Sequence, residues 1–368
     1  MSRAFYRNIA HRILGLVLLL LGATGGAWAQ CPKVLMFDGV DILTQTNGEQ
    51  ARYWGQTVGV QGFFLNNVMP GWQQDVGTDP SSSAWQRARQ FQNLYAGYGV
   101  TDNFIKVAAY KFHDWSDASQ NAALVRNFAH AAALARFAGF KGVVLDLEPY
   151  SPVWGDPDSA PALVVTVQQV GREIAEAMRN AYPGMTLVVL PDVVRLAHQQ
   201  LTPAQAAKER MRALTDYKSA RGPEKYILSE PFLVGLLSVP WSHVVIATEQ
   251  TYSQNGPVIP RTMEQAAARY RDFDQHNQLA TGDISIAPGL WPLGHSSSDK
   301  SARESPENFL GRLQAAMSVA SRYVWIYGYG SAWQTDGPYY KKGPVVDNFP
   351  DYVRAVHEAE QQCERNGS

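Results

Sequence analysis

A single (β/α)8 TIM barrel is the fold the sequence predicts, and three observations carry it. From Lys33 onward, eight short apolar runs alternate with stretches of helical periodicity. Each run is apolar on both faces, as a parallel strand covered on both sides has to be. No Pro/Ser-rich linker breaks the alternation, and 368 residues, 45% of them hydrophobic, hold enough apolar material for one large core.

The first strand is Lys33-Val34-Leu35-Met36-Phe37, running out at Asp38. Gly62-Phe63-Phe64-Leu65 is the second and ends at Asn66 and Asn67. The third, residues 104–110, runs into Lys111, His113 and Asp114. The fourth is Gly142-Val143-Val144-Leu145; Asp146 and Glu148 leave its carboxyl end two residues apart, hence on one face. Residues 186–190 end at Asp192, residues 243–247 at Glu249, and residues 284–287 near Trp291. Residues 323–327 make the eighth strand.

Between the strands, residues 121–137 stop at Gly139 and residues 161–182 stop at Pro183-Gly184, the expected breaker residues. Residues 262–276, 306–321 and 349–362 have the same spacing. Residues 72–95 supply the second crossover and 203–237 the fifth, while 40–57 have the weakest pattern and read mostly as loop. The competing fold is a doubly wound open sheet. It usually carries a glycine-rich phosphate loop after an early strand, and neither G-x-G-x-x-G nor a P-loop occurs at such a place here.

Residues 1–29 read as a secretory signal peptide. Arg3, Arg7 and Arg12 precede the apolar run 13–21, and Ala27-Trp28-Ala29 supplies an A-x-A cleavage site before Gln30. The run is too short to span a membrane, and Gln30 replaces the small residue expected before a lipidated Cys31. The mature barrel, residues 30–368, is therefore expected in the periplasm or outside the cell, free of the membrane. Cleavage removes three of the 32 basic residues and none of the 33 acidic ones, leaving 29 against 33. No basic patch calls for nucleic acid. In an oxidising compartment the only two cysteines, Cys31 and Cys363, are candidates for a disulfide joining the two ends.

Active sites of this architecture lie at the carboxyl ends of the strands. The residues leaving them make one ring: Asp38, Asn66, Asn67, Tyr110, His113, Asp114, Asp146, Glu148, Asp192, Glu249, Tyr252, Trp291, Tyr327, Tyr329 and Trp333, with Trp325 just below. Such a ring suits a carbohydrate, since carboxylates and amides pair with hydroxyls while Trp and Tyr faces stack on a pyranose. A phosphorylated substrate would want more cation than Lys111. Metal hydrolysis would want clustered ligands, of which His113 and Asp114 are half a set at most. No G-x-S-x-G elbow occurs. Neither a metal nor another cofactor is expected, and the chemistry on offer is carboxylate acid/base work on a glycosidic bond. Taken singly, Asp192 also reads as a helix cap, Trp325 as barrel core and Glu249 as one half of an ion pair.

The fourth strand resembles that of the chitinase-like glycoside hydrolase family 18, which ends in spaced aspartates and a catalytic glutamate. Asp146 and Glu148 match the last aspartate and the glutamate, whereas Lys141 and Val144 stand at the two earlier aspartate positions. Glu148-Pro149 is also similar to the Glu-Pro of the large retaining superfamily of barrel hydrolases. That superfamily ends its seventh strand in a nucleophilic glutamate, where this chain has Pro288-Gly289-Leu290-Trp291. In some α-glycosidase barrels an aspartate after the fourth strand is the nucleophile, a pattern that Asp146 with Asp192 or Glu249 would serve.

These resemblances imply a glycosidase. Glu148 is the expected general acid, and the Asp146–Glu148 pair is expected to raise the proton affinity of one member. Asp146 would stabilise the oxocarbenium or an acetamido group, or act as nucleophile, and Glu249, leaving the sixth strand at the parity of Val245 and Ala247, is the candidate for the second catalytic carboxylate. Asp38, Asn67, Tyr110, Asp192, Tyr252, Trp291, Trp325 and Tyr327 are the expected substrate contacts. The mismatched positions motivate a second reading, a saccharide-binding barrel without catalysis. A polysaccharide deacetylase or lyase is a third.

Overall fold

Eight strands, β1 (Lys33–Phe37), β2 (Gly62–Leu65), β3 (Phe104–Ala108), β4 (Gly142–Asp146), β5 (Thr186–Leu190), β6 (His243–Thr248), β7 (Ile284–Leu290) and β8 (Tyr323–Tyr327), form a closed barrel. Each pairs in parallel with the next, and β8 closes on β1 from Lys33↔Tyr323 to Phe37↔Tyr327. Closure removes the edges an open sheet would expose. The computed structural model describes residues 31–37, 46–149, 151–155, 158–216, 223–279, 281–292, 304–328, 333 and 349–367. The expected signal peptide lies outside the described residues.

The period-two pattern sorts the strands into two cores. Leu35, Phe37, Phe64, Phe104, Val144, Val188, Leu190, Val245, Ala247, Ala287, Tyr323 and Trp325 fill the barrel interior. The alternate residues, among them Val34, Phe63, Ile105, Val143, Leu145, Leu187 and Ile246, face the helices. At the amino-terminal end of the barrel Asp102 accepts from Lys33 Nζ at 2.7 Å and Tyr323 Oη at 2.9 Å, a polar plug far from the strand exits.

Along the chain the helices are α1 (Gly48–Arg52), α2 (Ser83–Ala96), α3 (Ala118–Ala138), α4 (Ala160–Ala181), α5 (Val193–Ala197), α6 (Pro203–Thr215), α7 (Ser229–Leu237), α8 (Ile259–Asn277), α9 (Pro306–Met317) and α10 (Phe349–Gly367). The first crossover is more ordered than the expected loop. The Asn47 side chain caps α1, a π-helical turn (Tyr53–Val58) follows, and Gly59 ends it at φ +88°. Within the helix and the π-turn the buried residues are Ala51, Trp54 and Val58, too few to print a periodicity. Among the described residues the fifth crossover divides into three α-helices and a 3-10 turn (Pro223–Lys225), and α7 packs on α4 through glycines: a Cβ at Gly235 would lie 1.9 Å from Gln168 O.

Two strand ends also differ from expectation. β3 stops at Ala108, where Gly71 makes a bridge to it, and β7 runs on to Leu290. Cys31 and Cys363 form the expected disulfide, with Cα atoms 5.9 Å apart, tying the entry of β1 to α10. Such a bond fits an oxidising compartment. No helix among the described residues is long and apolar enough to cross a membrane.

Candidate active site

Asp146 ends β4 with its side chain in the barrel, one step above Val144, and is 2% exposed. A carboxylate so buried needs a partner. The partner comes from the neighbouring strand β3: Lys106 Nζ stands 2.9 Å from Asp146 Oδ2. Lys106 pairs in register with Val144, is itself buried, and sits 4.8 Å from the Phe37 ring centroid while donating to Tyr110 Oη at 3.3 Å. Burial works against its charge, but Asp146 and Tyr110 outweigh it and raise its pKa. Asp146 Oδ1 also accepts the Glu148 backbone N–H at 3.2 Å, which fixes the turn out of the strand.

Glu148 and Glu249 are both half-buried, the latter one residue beyond β6. The Glu249 carboxyl is pushed up to about 8, first by burial and then by the charges of Glu148 and Asp146. Tyr252 hydrogen bonding and the Arg195 guanidinium pull the other way. Sequence reasoning locates the raised proton affinity in the Asp146–Glu148 pair. In the structure Lys106 gives Asp146 a counter-charge, and Glu249, which faces both carboxylates, is a further carboxyl pushed up.

Beside Glu249 stands an aromatic wall. The Tyr252 ring lies 5.4 Å from Trp291, 5.2 Å from Trp325 and 6.3 Å from Tyr327, and Trp291 lies 4.9 Å from Tyr327. Burial, and then the neighbouring Glu249, Tyr327 and Glu148, push the Tyr252 hydroxyl well above its ordinary value, so it stays a donor. Tyr252, Trp291 and Tyr327 are half-buried and face the mouth, but Trp325 is fully buried. Its Nε1 donates to Ala287 O, so it is the floor beneath the wall and not a wall itself. It lies across Gly289, where a Cβ would meet the indole at 2.5 Å. The seventh strand therefore has no room for a side chain at this level, let alone a carboxylate.

Asp192 is not at the substrate's disposal. It is 1% exposed, caps α5 by accepting Arg195 N–H at 3.1 Å, and accepts Arg269 Nη2 at 2.7 Å. Its helix-cap reading is the structural one. His113 is core as well, bonded to Asn121 Oδ1 at 2.8 Å and packed on Trp72 and Trp115, while Asp114 caps a turn through Ser116. Trp333 packs on Phe309 and Tyr352 in the helix layer. Asn67 is half-buried at the end of β2. Tyr110 is 40% exposed, lies over Gly71, and is followed by Phe112 at 62%. Asp38 and Tyr329 lie outside the described residues.

Sequence reasoning passes over Lys106, Arg195 and Phe112. Lys106 carries a legible signal, a lone cation in an apolar strand at the parity of the inward Phe104. Among the described residues no three His, Cys, Asp or Glu side chains are grouped so as to hold a metal ion.

Fold and site together define a (β/α)8 barrel whose carboxyl-terminal mouth joins three carboxylates, a buried lysine and an aromatic wall. No family model matches the chain, and no curated protein matches it in sequence. Among solved structures it is similar to a glucosidase from Croceicoccus marinus, with TM-score 0.52 and 10% identity over 91% of this chain and 68% of that one. A GH18 chitinase from Pseudoalteromonas aurantia aligns at TM-score 0.45 and 8% identity over 89% of this chain and 99% of that one. A sugar phosphate isomerase/epimerase from Parabacteroides distasonis does so at 0.43 and 10%, over 90% and 97%. At these identities the likeness shows the barrel fold.

Proposed function

We propose that the mature chain is an exported glycoside hydrolase cleaving a polysaccharide or oligosaccharide, with Glu249 as the general acid. One observation carries the reading: at the mouth of the barrel Glu249 faces Glu148 and Asp146 beside the Tyr252–Trp291–Tyr327 wall, where burial and then their charges push its carboxyl up to about 8. A carboxyl pushed up in this way suits a general acid. Glu249 would protonate the glycosidic oxygen and Glu148 would supply the facing carboxylate. Asp146, charge-paired to Lys106, orients the Glu148 main chain and adds to the negative field. Tyr252, Trp291 and Tyr327 would take the apolar face of the sugar. The N-terminal pattern and the Cys31–Cys363 bond support export.

The test is release of new reducing ends from chitin-like, galactosamine-rich and α- and β-glucan substrates by wild type, Glu249→Gln and Glu148→Gln. Losing a general acid costs roughly 10²–10⁴-fold in rate, so Glu249→Gln should bind the sugar and turn it over at that deficit. Unimpaired turnover would rule out the assignment. Gly289 and Trp325, occupying the place of a seventh-strand nucleophile, favour a second reading, a saccharide-binding barrel. Binding by all three proteins without product would select it.

A further inference from the structure

Arg312 sits on α9 in the helix layer, yet it is 4% exposed. Its Nη1 pairs with the buried Glu304 carboxylate, and its Nη2 donates to two carbonyls, Thr251 O and Tyr252 O, each at 2.7 Å. Burying such an ion pair returns little net stability over apolar packing, because desolvation offsets the attraction. What it does provide is direction. Thr251 Oγ1 donates to Gly289 O at 2.7 Å, and the Glu304 N–H donates to Pro292 O at 2.9 Å, next to Trp291. The Tyr352 hydroxyl from α10 donates to Glu304 O, and the Asn308 side chain holds its Oε1 at 2.8 Å. The turn after β6, the exit of β7 and two helices thus meet at one ion pair.

We infer that Arg312, paired with Glu304, is a positioning residue: by holding the Thr251 and Tyr252 carbonyls it keeps the Tyr252 hydroxyl at Glu249 and the Tyr252 ring against Trp291. The proton donor and the aromatic wall then keep one geometry. This rests on the reading of Glu249 as the acid, but its test needs no substrate. The groups facing Glu249 are Glu148 and Asp146 at the end of β4, Tyr252 in its own turn and Arg195 on α5. Of these only Tyr252 is held by Arg312.

The experiment follows Glu249 by carbon NMR of protein labelled at the glutamate carboxyl, with its signal assigned through its loss in Glu249→Gln. Tyr252→Phe and Arg312→Met should each move the Glu249 midpoint upward by about one pH unit, the size of one lost hydrogen bond to the charged form. Arg312→Lys, which keeps the charge for Glu304, should move it less. The double variant should move it no further than Tyr252→Phe alone, because both changes remove the same contact. An unchanged midpoint in Arg312→Met, or additive shifts in the double variant, would overturn the assignment. If Arg312→Met does not fold, Arg312→Lys combined with Tyr252→Phe supplies the same cycle. A correct cycle in a protein that releases no sugar would leave the positioning role standing and remove the glycosidase reading; turnover with a failed cycle would do the reverse.

Discussion

Replacing Glu249 by Gln tests the electrostatics of the mouth without any substrate. In the folded protein this carboxyl keeps its proton to about 8, whereas in the unfolded chain it releases it near the ordinary 4.5. Between those values the folded state binds more protons than the unfolded one, so stability falls as pH rises. The slope is up to about 1.4 kcal/mol per pH unit, which over this window gives a ceiling of about 5 kcal/mol. Partial exposure and the mutual titration of the neighbouring carboxylates lower that figure, and about 2–4 kcal/mol is expected. Gln has no proton to lose. Its stability relative to wild type should therefore be flat below pH 4.5, climb through neutrality, and level off above pH 8. Urea denaturation of both proteins across this range measures the difference, and subtraction removes the histidines and the carboxylates that do not interact with Glu249. Parallel curves would refute the placement of the raised proton affinity at Glu249.

Lys106→Met leaves Asp146 buried without its counter-charge and should cost about 3–5 kcal/mol in urea denaturation, most of it regained by adding Asp146→Asn. Gly289→Ala drives a methyl into the Trp325 indole and should cost about 1–3 kcal/mol with a change in tryptophan fluorescence. Phe112→Ala should leave stability within about 0.5 kcal/mol in urea denaturation, because the ring is 62% exposed.

Much of the architecture was open to inspection in the chain itself. Strands bury both faces, so eight apolar runs stand out against the helical spacing between them, and parallel strands send every carboxyl end to one mouth. That alone brings Asp146, Glu148, Glu249, Tyr252 and Trp291 together, and it lets two terminal cysteines be paired. The first crossover escaped because only three buried residues in it anchor the helix and turn. Which residues the mouth makes available was decided in three dimensions. Asp192 is consumed by Arg195 N–H and Arg269, and Trp325 lies flat because Gly289, on a neighbouring strand, has no side chain. Proton affinity is likewise a property of distance and solvation, not of order along the chain. Lys106 reaches Asp146 from β3, Glu249 meets two carboxylates from β4, and Arg312 reaches Tyr252 from a helix. The sequence could name the carboxylates; only their packing shows that Glu249 is buried against the other two and pushed up by them.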